Sequence, residues 1–382
     1  MNILQLSFHA SPFSEIGKND GGGMSVYVQQ ISKHLSEKHN VTVVTGEKAE
    51  SFKNKNLEFI SLEIFEPELN VEDKEIHLQE FKNRLEEFID LKSFDVIHAH
   101  YWLSGLVAKE FSNELNIPFV FTSHSLGVFL DGYNKERVDC EKIVMTSSNL
   151  VTASSVFEIM LITDTYKVDE NKIKRVTPGV DRKIFSPDLS VKKENIFLSI
   201  GRIQEQKGQL KTLEFLNSFR KIENNFKCYF IGGPSGKTGN EYLQELKESV
   251  INFKLETHVE FLNSLSQEEI IELLNKAKLL IHTSQFETFG LVAIEANSMG
   301  VPVLSVNNGS LMEVIENNKN GYLSENLLDG NVNNFVNNLL NDKKKELEKI
   351  NKDTIEEIKI AAEFALNSKY PKDSELFKDV YV

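Results

Sequence analysis

Four groups of residues have the types and spacing that chemistry on a phosphate ester would need. The first runs from His9-Ala10-Ser11-Pro12 to Asp20-Gly21-Gly22-Gly23-Met24, just ahead of a helical pattern over 25–38. Three adjacent glycines before a helix let backbone N–H groups approach a phosphate with no Cβ in the way. The same run also reads as a flexible surface turn. It is not the dinucleotide fingerprint, whose third glycine would fall on Val26. The second group, Gly201-Arg202 and Lys207-Gly208, closes a strand pattern and opens a helix. Two cations five residues apart at such a turn can clamp a diphosphate, Arg through its fork and Lys as a point charge. A pair of solvated surface charges is the alternative.

The third group is Phe286-Glu287-Thr288-Phe289-Gly290-Leu291, with Glu295 further on. The spacing puts Glu287 in a loop and Glu295 inside the helix that follows. One carboxylate could then hold a sugar ring and the other a ribose, while the amides of Phe289, Gly290 and Leu291 face phosphates. Alternatively, Glu287 is a charge favoured by the helix dipole and Glu295 a solvated side chain. The apolar run Leu291-Val292-Ala293-Ile294 beside Glu295 speaks against solvation. The fourth group is His98-Ala99-His100-Tyr101-Trp102 together with Thr122-Ser123-His124-Ser125-Leu126-Gly127. The His-x-His pair invites a metal, but no clustered cysteine or carboxylate completes a ligand set, so none is expected. His98 reads as a satisfied structural histidine and His124, at a strand end, as an active-site residue. Gly232 to Thr238 imitates a phosphate-binding loop, but its first glycine would fall on Ile231, so it reads as a strand-to-helix turn.

Short β-branched runs alternate with helical patterns from end to end and position these groups, which predicts parallel sheets in an α/β fold. Strands are expected at 2–8, 41–45, 57–61, 95–99, 118–123, 150–153 and 174–177. After a Pro- and charge-rich stretch ending near Glu194, they resume at 196–200, 227–231, 259–262, 279–283, 302–306 and 321–323. The break divides the chain into domains at 1–190 and 191–371. Helices are expected at 25–38 and 72–90, and at 266–277, where Ser266 and Glu269 form a capping box. Ligands of open parallel sheets sit beyond the carboxyl ends of the strands, so two such domains facing a central cleft would present two sets of anion-binding ends.

The length of 382 residues suits two domains of the usual size, roughly 100–200 residues each. A formal net charge of −14 sets the surface field against nucleic acid and anionic lipid. Cys140 and Cys228 lie far apart in apolar stretches and are expected as reduced thiols. The amino terminus lacks the pattern of a secretory signal and no apolar run has membrane-spanning length, so a cytoplasmic protein without an integral membrane segment is expected.

Taken together, Glu287-x7-Glu295 with Phe289-Gly290-Leu291, and Gly201-Arg202 with Lys207-Gly208, resemble the retaining glycosyltransferases of family 4, which have the GT-B architecture of two Rossmann-like, doubly wound domains. The resemblance covers essentially the whole chain. Asp20 to Val28 and His100-Tyr101-Trp102-Leu103-Ser104-Gly105 are similar to the inositol-phosphate N-acetylglucosaminyltransferases of mycothiol synthesis, and His124-Ser125-Leu126-Gly127 to sucrose-phosphate synthase. By that resemblance Arg202 and Lys207 bind the donor diphosphate, and Glu295 holds the nucleotide ribose. Glu287 takes the donor sugar hydroxyls, Gly22 and Gly23 approach the phosphates, and His124 lies beside the transferred sugar. His9, Ser25, Tyr101 and Arg137 fall on the acceptor side, and a helix at 372–382 crosses back to the first domain.

The chain departs from these branches at Ser25, where the mycothiol enzymes carry Asn, and at Val128-Phe129-Leu130-Asp131, where both branches place basic residues. The implied reaction is retaining transfer of a glucose- or N-acetylglucosamine-type hexose from a UDP-linked sugar, such as UDP-glucose, to a small sugar, polyol or sugar phosphate. UDP is the product and no cofactor takes part. A lipid acceptor, or epimerisation of a nucleotide sugar, is the alternative, and association into a homodimer is left open.

Overall fold

The computed structural model describes residues 1–13, 22–129 and 134–341, apart from the side chain of Glu72. The expected helices at the carboxyl terminus, including 372–382, lie outside the described residues, as do Asp20, Gly21, Leu130 and Asp131. The chain divides into two units, Met1–Arg175 and Val176–Val382.

In the first unit the strands are β1 (Asn2–Leu6), β2 (Asn40–Glu47), β3 (Phe52–Asn54), β4 (Leu57–Phe65), β5 (Val96–His100), β6 (Phe119–Thr122), β7 (Leu150–Ala153) and β8 (Ile173–Arg175). Their order is β3-β4-β2-β1-β5-β6-β7-β8, parallel throughout except for β3, a hairpin strand antiparallel to β4. Helices α1 (Gly23–Leu35), α2 (Val71–Lys74), α3 (Leu78–Phe88), α4 (Tyr101–Leu115), α5 (Lys135–Ser147) and α6 (Val156–Tyr166) cover the sheet. Side-chain alternation splits the core between the two faces. Leu4, Leu6, Phe8, Phe111 and Phe121 join one cluster, whereas Ile3, Val28, Val41, Val43 and Phe59 join the other.

The second unit contains β9 (Ile196–Ile200), β10 (Lys227–Ile231), β11 (Val259–Leu262), β12 (Leu279–His282), β13 (Val303–Val306) and β14 (Gly321–Ser324). With it are α7 (Gln209–Phe219), α8 (Gly239–Asn252), α9 (Gln267–Lys276), α10 (Leu291–Ser298), α11 (Leu311–Val314) and α12 (Gly330–Leu340). Its order, β11-β10-β9-β12-β13-β14, is wholly parallel and is the doubly wound 3-2-1-4-5-6 arrangement. The Ser266–Glu269 capping box opens α9 as expected.

The expected break near residue 190 lies about fifteen residues too late. Phe185, 5% exposed, packs with Leu198, Leu280 and Ala296 of the second unit. Its carbonyl accepts from Ser298 Oγ at 2.7 Å, and Asp188 N donates to Asn275 Oδ1 at 2.8 Å. The Pro-punctuated stretch is therefore a packed part of the second unit. The expected helix at 72–90 is also interrupted, at the 3₁₀ turn Glu75–His77.

The close approach of α4 to α5 depends on Gly105. A Cβ there would lie 2.4 Å from Val144 Cγ1 and 3.0 Å from Phe121 Cε2, both fully buried residues. Gly→Ala inside a helix ordinarily gains up to about 1 kcal/mol, but overpacking a dense core costs about 1–3 kcal/mol. Gly105→Ala is therefore expected to lower the thermal unfolding midpoint of the first unit. An unchanged or raised midpoint would show that α4 and α5 can move apart freely.

Candidate active site

In both units the sequence-derived residues gather at strand carboxyl ends beside the point where strand order reverses, β1/β5 in one and β9/β12 in the other. In the second unit β9 leads through Arg202 and Lys207 to α7, and β12 leads through Glu287 to α10. Their N-caps are Gly208 and Gly290, which bring no capping side chain of their own, and no acidic residue sits in either first turn. By contrast, α5, α6, α9 and α12 are capped by Asn134, Ser155, Ser266 and Asp329. At α7 the Tyr242 hydroxyl accepts from Leu210 N at 3.1 Å, so the first-turn amides left for an anion are those of α10, beside Phe289 and Leu291.

Glu287 is the knot of this end of the sheet. Its Oε2 accepts from Lys207 Nζ at 3.2 Å and from His282 Nε2 at 3.2 Å. Burial alone would raise its pKa, but the Lys207 charge and the His282 hydrogen bond more than reverse this and hold the carboxyl well below the usual range. Its carbonyl accepts from the backbone N of Ser310 at 3.2 Å and from Ser310 Oγ at 3.1 Å. Gly309 makes that approach possible. It has φ +59°, and a Cβ there would stand 2.4 Å from the Glu287 carbonyl oxygen. Glu295 is the fifth residue of α10, and burial pushes its carboxyl up to about 7. The Arg202 carbonyl accepts from Gln209 Nε2 at 2.8 Å. A separate concavity of about 360 Å³, lined by Asn195, Phe226, Lys227 and His258, lies at the opposite strand ends and includes none of these residues.

In the first unit, α1 opens on Gly22 and Gly23 with no side-chain cap among the described residues. Ser25, 3% exposed, keeps an Oγ with no hydrogen-bond partner among the described residues. Three of the four residues expected on the acceptor side come together. The His9 and Tyr101 rings lie 4.2 Å apart, and the Arg137 guanidinium stands 5.0 Å from the Tyr101 ring centre. Arg137 is not a free cation. Its Nε donates to Glu141 Oε1 at 2.8 Å and its Nη2 to Ser125 Oγ at 2.9 Å. Glu141 also accepts from Gly127 N at 2.9 Å and from the Tyr166 hydroxyl, which pins the loop carrying His124 to α5 and α6.

His124 and Tyr101 both have positive φ, 58° and 73°, a conformation that costs about 1–3 kcal/mol in an L residue and gathers at functional sites. His124 Nε2 lies 3.0 Å from His100 Nδ1, and its ring meets Tyr27 of α1 edge-on at 5.2 Å. His98 bonds Thr122 Oγ1 at 2.8 Å, as a structural histidine should.

Sequence reasoning missed Lys74, His282 and Glu158. Lys74 is fully buried and donates to the His9 carbonyl at 2.8 Å and to Glu47 Oε2 at 3.3 Å. Glu158 accepts from Ser123 Oγ at 2.6 Å and Ser154 N at 2.7 Å. A lysine in an expected amphipathic helix and a histidine ending an apolar strand carry little local signal. Each was found through its partner.

The comparisons with known proteins agree with this fold. Residues 180–357 match the family model for glycosyl transferases group 1, and residues 21–183 that for Glycosyltransferase Family 4. The D-inositol 3-phosphate glycosyltransferase of Frankia alni is 30% identical over 347 residues, 82% of this chain and 85% of that protein. Sucrose-phosphate synthase from Thermosynechococcus elongatus shares the fold, with a TM-score of 0.85 at 22% identity over 100% of this chain and 99% of that one. Anabaena HepE, solved with UDP and glucose, has a TM-score of 0.74 at 19% identity over 97% and 100%. Fold and site define a GT-B glycosyltransferase that draws on a nucleotide sugar. The chain belongs to glycosyltransferase family 4. No helix among the described residues is long and apolar enough to cross a membrane.

Burial pushes His98 and His124 down to about 3 and His100 well below its ordinary value of 6.5. A histidine kept neutral when folded contributes stability that is complete above pH 6.5 and lost as pH falls toward its folded value. Glu158, whose carboxyl burial raises despite its hydrogen bonds, offsets part of that loss. Trp102 is the chain's single tryptophan and lies in this unit, so its fluorescence reports there. Stability read by Trp102 in urea is expected to fall between pH 6.5 and 4.5, by about 1 kcal/mol per pH unit for each of buried His98 and His100. The slope should become shallower in His100→Asn, and a flat profile in the wild type would contradict the neutral cluster.

Proposed function

We propose that this enzyme transfers a glucose- or N-acetylglucosamine-type hexose from a UDP-linked donor to a small sugar, polyol or sugar-phosphate acceptor, with retention of configuration. The observation that carries this reading is the meeting of Lys207, Glu287 and the uncapped amino end of α10 at the strand reversal of the second unit. A diphosphate there meets helix amides and two cations, Arg202 and Lys207. Glu287 presents a carboxylate to the hexose hydroxyls and Glu295 one to the ribose. The UDP and glucose bound by HepE, and the phosphorylated inositol in the name of the Frankia relative, support the substrate classes.

The reaction breaks the bond between the sugar C1 and the diphosphate oxygen, which departs with the electron pair. The acceptor hydroxyl forms its bond to C1 on the same face and passes its proton to the departing phosphate. Glu287, tied through Oε2 to Lys207 and His282, serves as a hydrogen-bond acceptor and not as a nucleophile. Catalysis then rests on charge placed in advance around the leaving group, the largest contribution in many enzymes. Gly22 and Gly23 at the start of α1 are assigned to the phosphates and His124 to the transferred sugar. His9, Ser25, Tyr101 and Arg137 are assigned to the acceptor.

Removing one phosphate-binding cation is expected to cost about 2–4 kcal/mol of transition-state stabilisation, as loss of one oxyanion donor does. Lys207→Ala or Arg202→Ala should therefore lower kcat/KM by about thirty- to a thousandfold. UDP release from UDP-glucose and UDP-N-acetylglucosamine, with fructose 6-phosphate, inositol phosphate or free sugars as acceptor, measures it. Turnover near wild type in both variants would refute the assignment.

A further inference from the structure

Among the described residues, both hydrogen bonds to the Glu287 carboxylate arrive at one oxygen, Oε2, and neither reaches Oε1. The two donors differ in kind. Lys207 sits on the turn between β9 and α7, and its side chain is 30% exposed. His282 ends β12, its side chain is 7% exposed, and its carbonyl is held by Ser305 Oγ of β13 at 2.6 Å. A carboxylate only accepts hydrogen bonds, so His282 donates Nε2–H to it.

If the proposed function holds, on which this inference rests, the donor diphosphate competes for Lys207. Its ammonium is on a flexible stem and can turn from Glu287 to the phosphates. His282 has no such freedom, because the strand pairing of β12 with β13 fixes its backbone. We propose that His282 is a positioning residue that holds Glu287 Oε2 while Lys207 serves the diphosphate, keeping Oε1 turned to the hexose hydroxyls and so setting selectivity for the donor sugar. His282 touches neither the nucleotide nor the acceptor in this assignment. Its loss therefore affects recognition of the sugar and leaves recognition of the nucleotide intact.

The test compares His282→Gln and His282→Asn in the full chain. A Gln amide nitrogen reaches the place of Nε2, whereas an Asn amide mimics Nδ1 and falls short of Glu287. Calorimetric affinity is measured for UDP and for UDP-glucose, with kcat and KM for UDP-glucose and its C4 epimer UDP-galactose. In His282→Asn the affinity for UDP should stay within about twofold of wild type. Its kcat/KM for the preferred sugar should fall about ten- to a hundredfold, the worth of a hydrogen bond to a charged group, and the preference between the epimers should shrink. His282→Gln should recover most of both. Asn and Gln variants that both behave as wild type would overturn the proposal. So would variants that lose UDP affinity and thermal stability in step, which is the signature of a merely structural residue. A wild-type protein that binds neither UDP nor any of the nucleotide sugars would overturn the donor reading itself, and this inference with it.

Discussion

A carboxylate taken out of water must be paired, and much of the second unit's site follows from pairing Glu287. The charge of Lys207 comes from the end of β9, the hydrogen bond of His282 from the end of β12, and the clasp on the Glu287 backbone from Ser310 beyond β13. Three neighbouring strands thus converge on one residue. The chain tolerates that convergence because Gly309 removes the Cβ that would strike the Glu287 carbonyl. Glu295 presents the opposite case, a carboxyl buried with no compensating charge and so raised to about 7. Two carboxylates eight residues apart are thereby given different protonation behaviour by their surroundings.

The first unit solves a similar problem with different parts. Arg137 and Glu141 pair in the core of the α5–α6 region, and the pair is spent on organising backbone. Glu141 fixes Gly127, and Arg137 fixes Ser125. His124 lies on this clamped loop in a left-handed conformation, against His100 and Tyr27. Local strain of that kind persists only where surrounding contacts overdetermine it. The side chains gathered near His9 and Tyr101 include one more buried cation, Lys74, whose charge is met by Glu47. Both buried cations of this region, Arg137 and Lys74, are therefore paired with carboxylates.

The strands were legible because central parallel strands are continuous apolar runs, so all six strands of the second unit lie where their β-branched patterns put them. The edge strand β3 was not, since Phe52, Lys53 and Asn54 are all exposed and carry no burial pattern. The unit boundary was misplaced because proline and charge mark irregular backbone, and irregular backbone can still be packed, as Phe185 is. Among the candidate site residues, Gly22, Gly23, Arg202, Lys207, Glu287 and Glu295 stood out by spacing against a helix start. His282 and Lys74 did not, because their significance is a contact made between elements distant in sequence. The state of Arg137 was equally invisible, since its partner Glu141, one helical turn away, looks like an ordinary surface pair.

A crystal structure of the protein with UDP and with an intact UDP-hexose tests directly where the nucleotide sugar sits. It should show the diphosphate at the amino ends of α7 and α10 with Lys207 turned onto it, the ribose on Glu295, and the hexose on Oε1 of Glu287 with His282 still on Oε2. A nucleotide bound elsewhere, for instance in the concavity beside Lys227 and His258, or one that leaves the Lys207–Glu287 pair undisturbed, would contradict this placement.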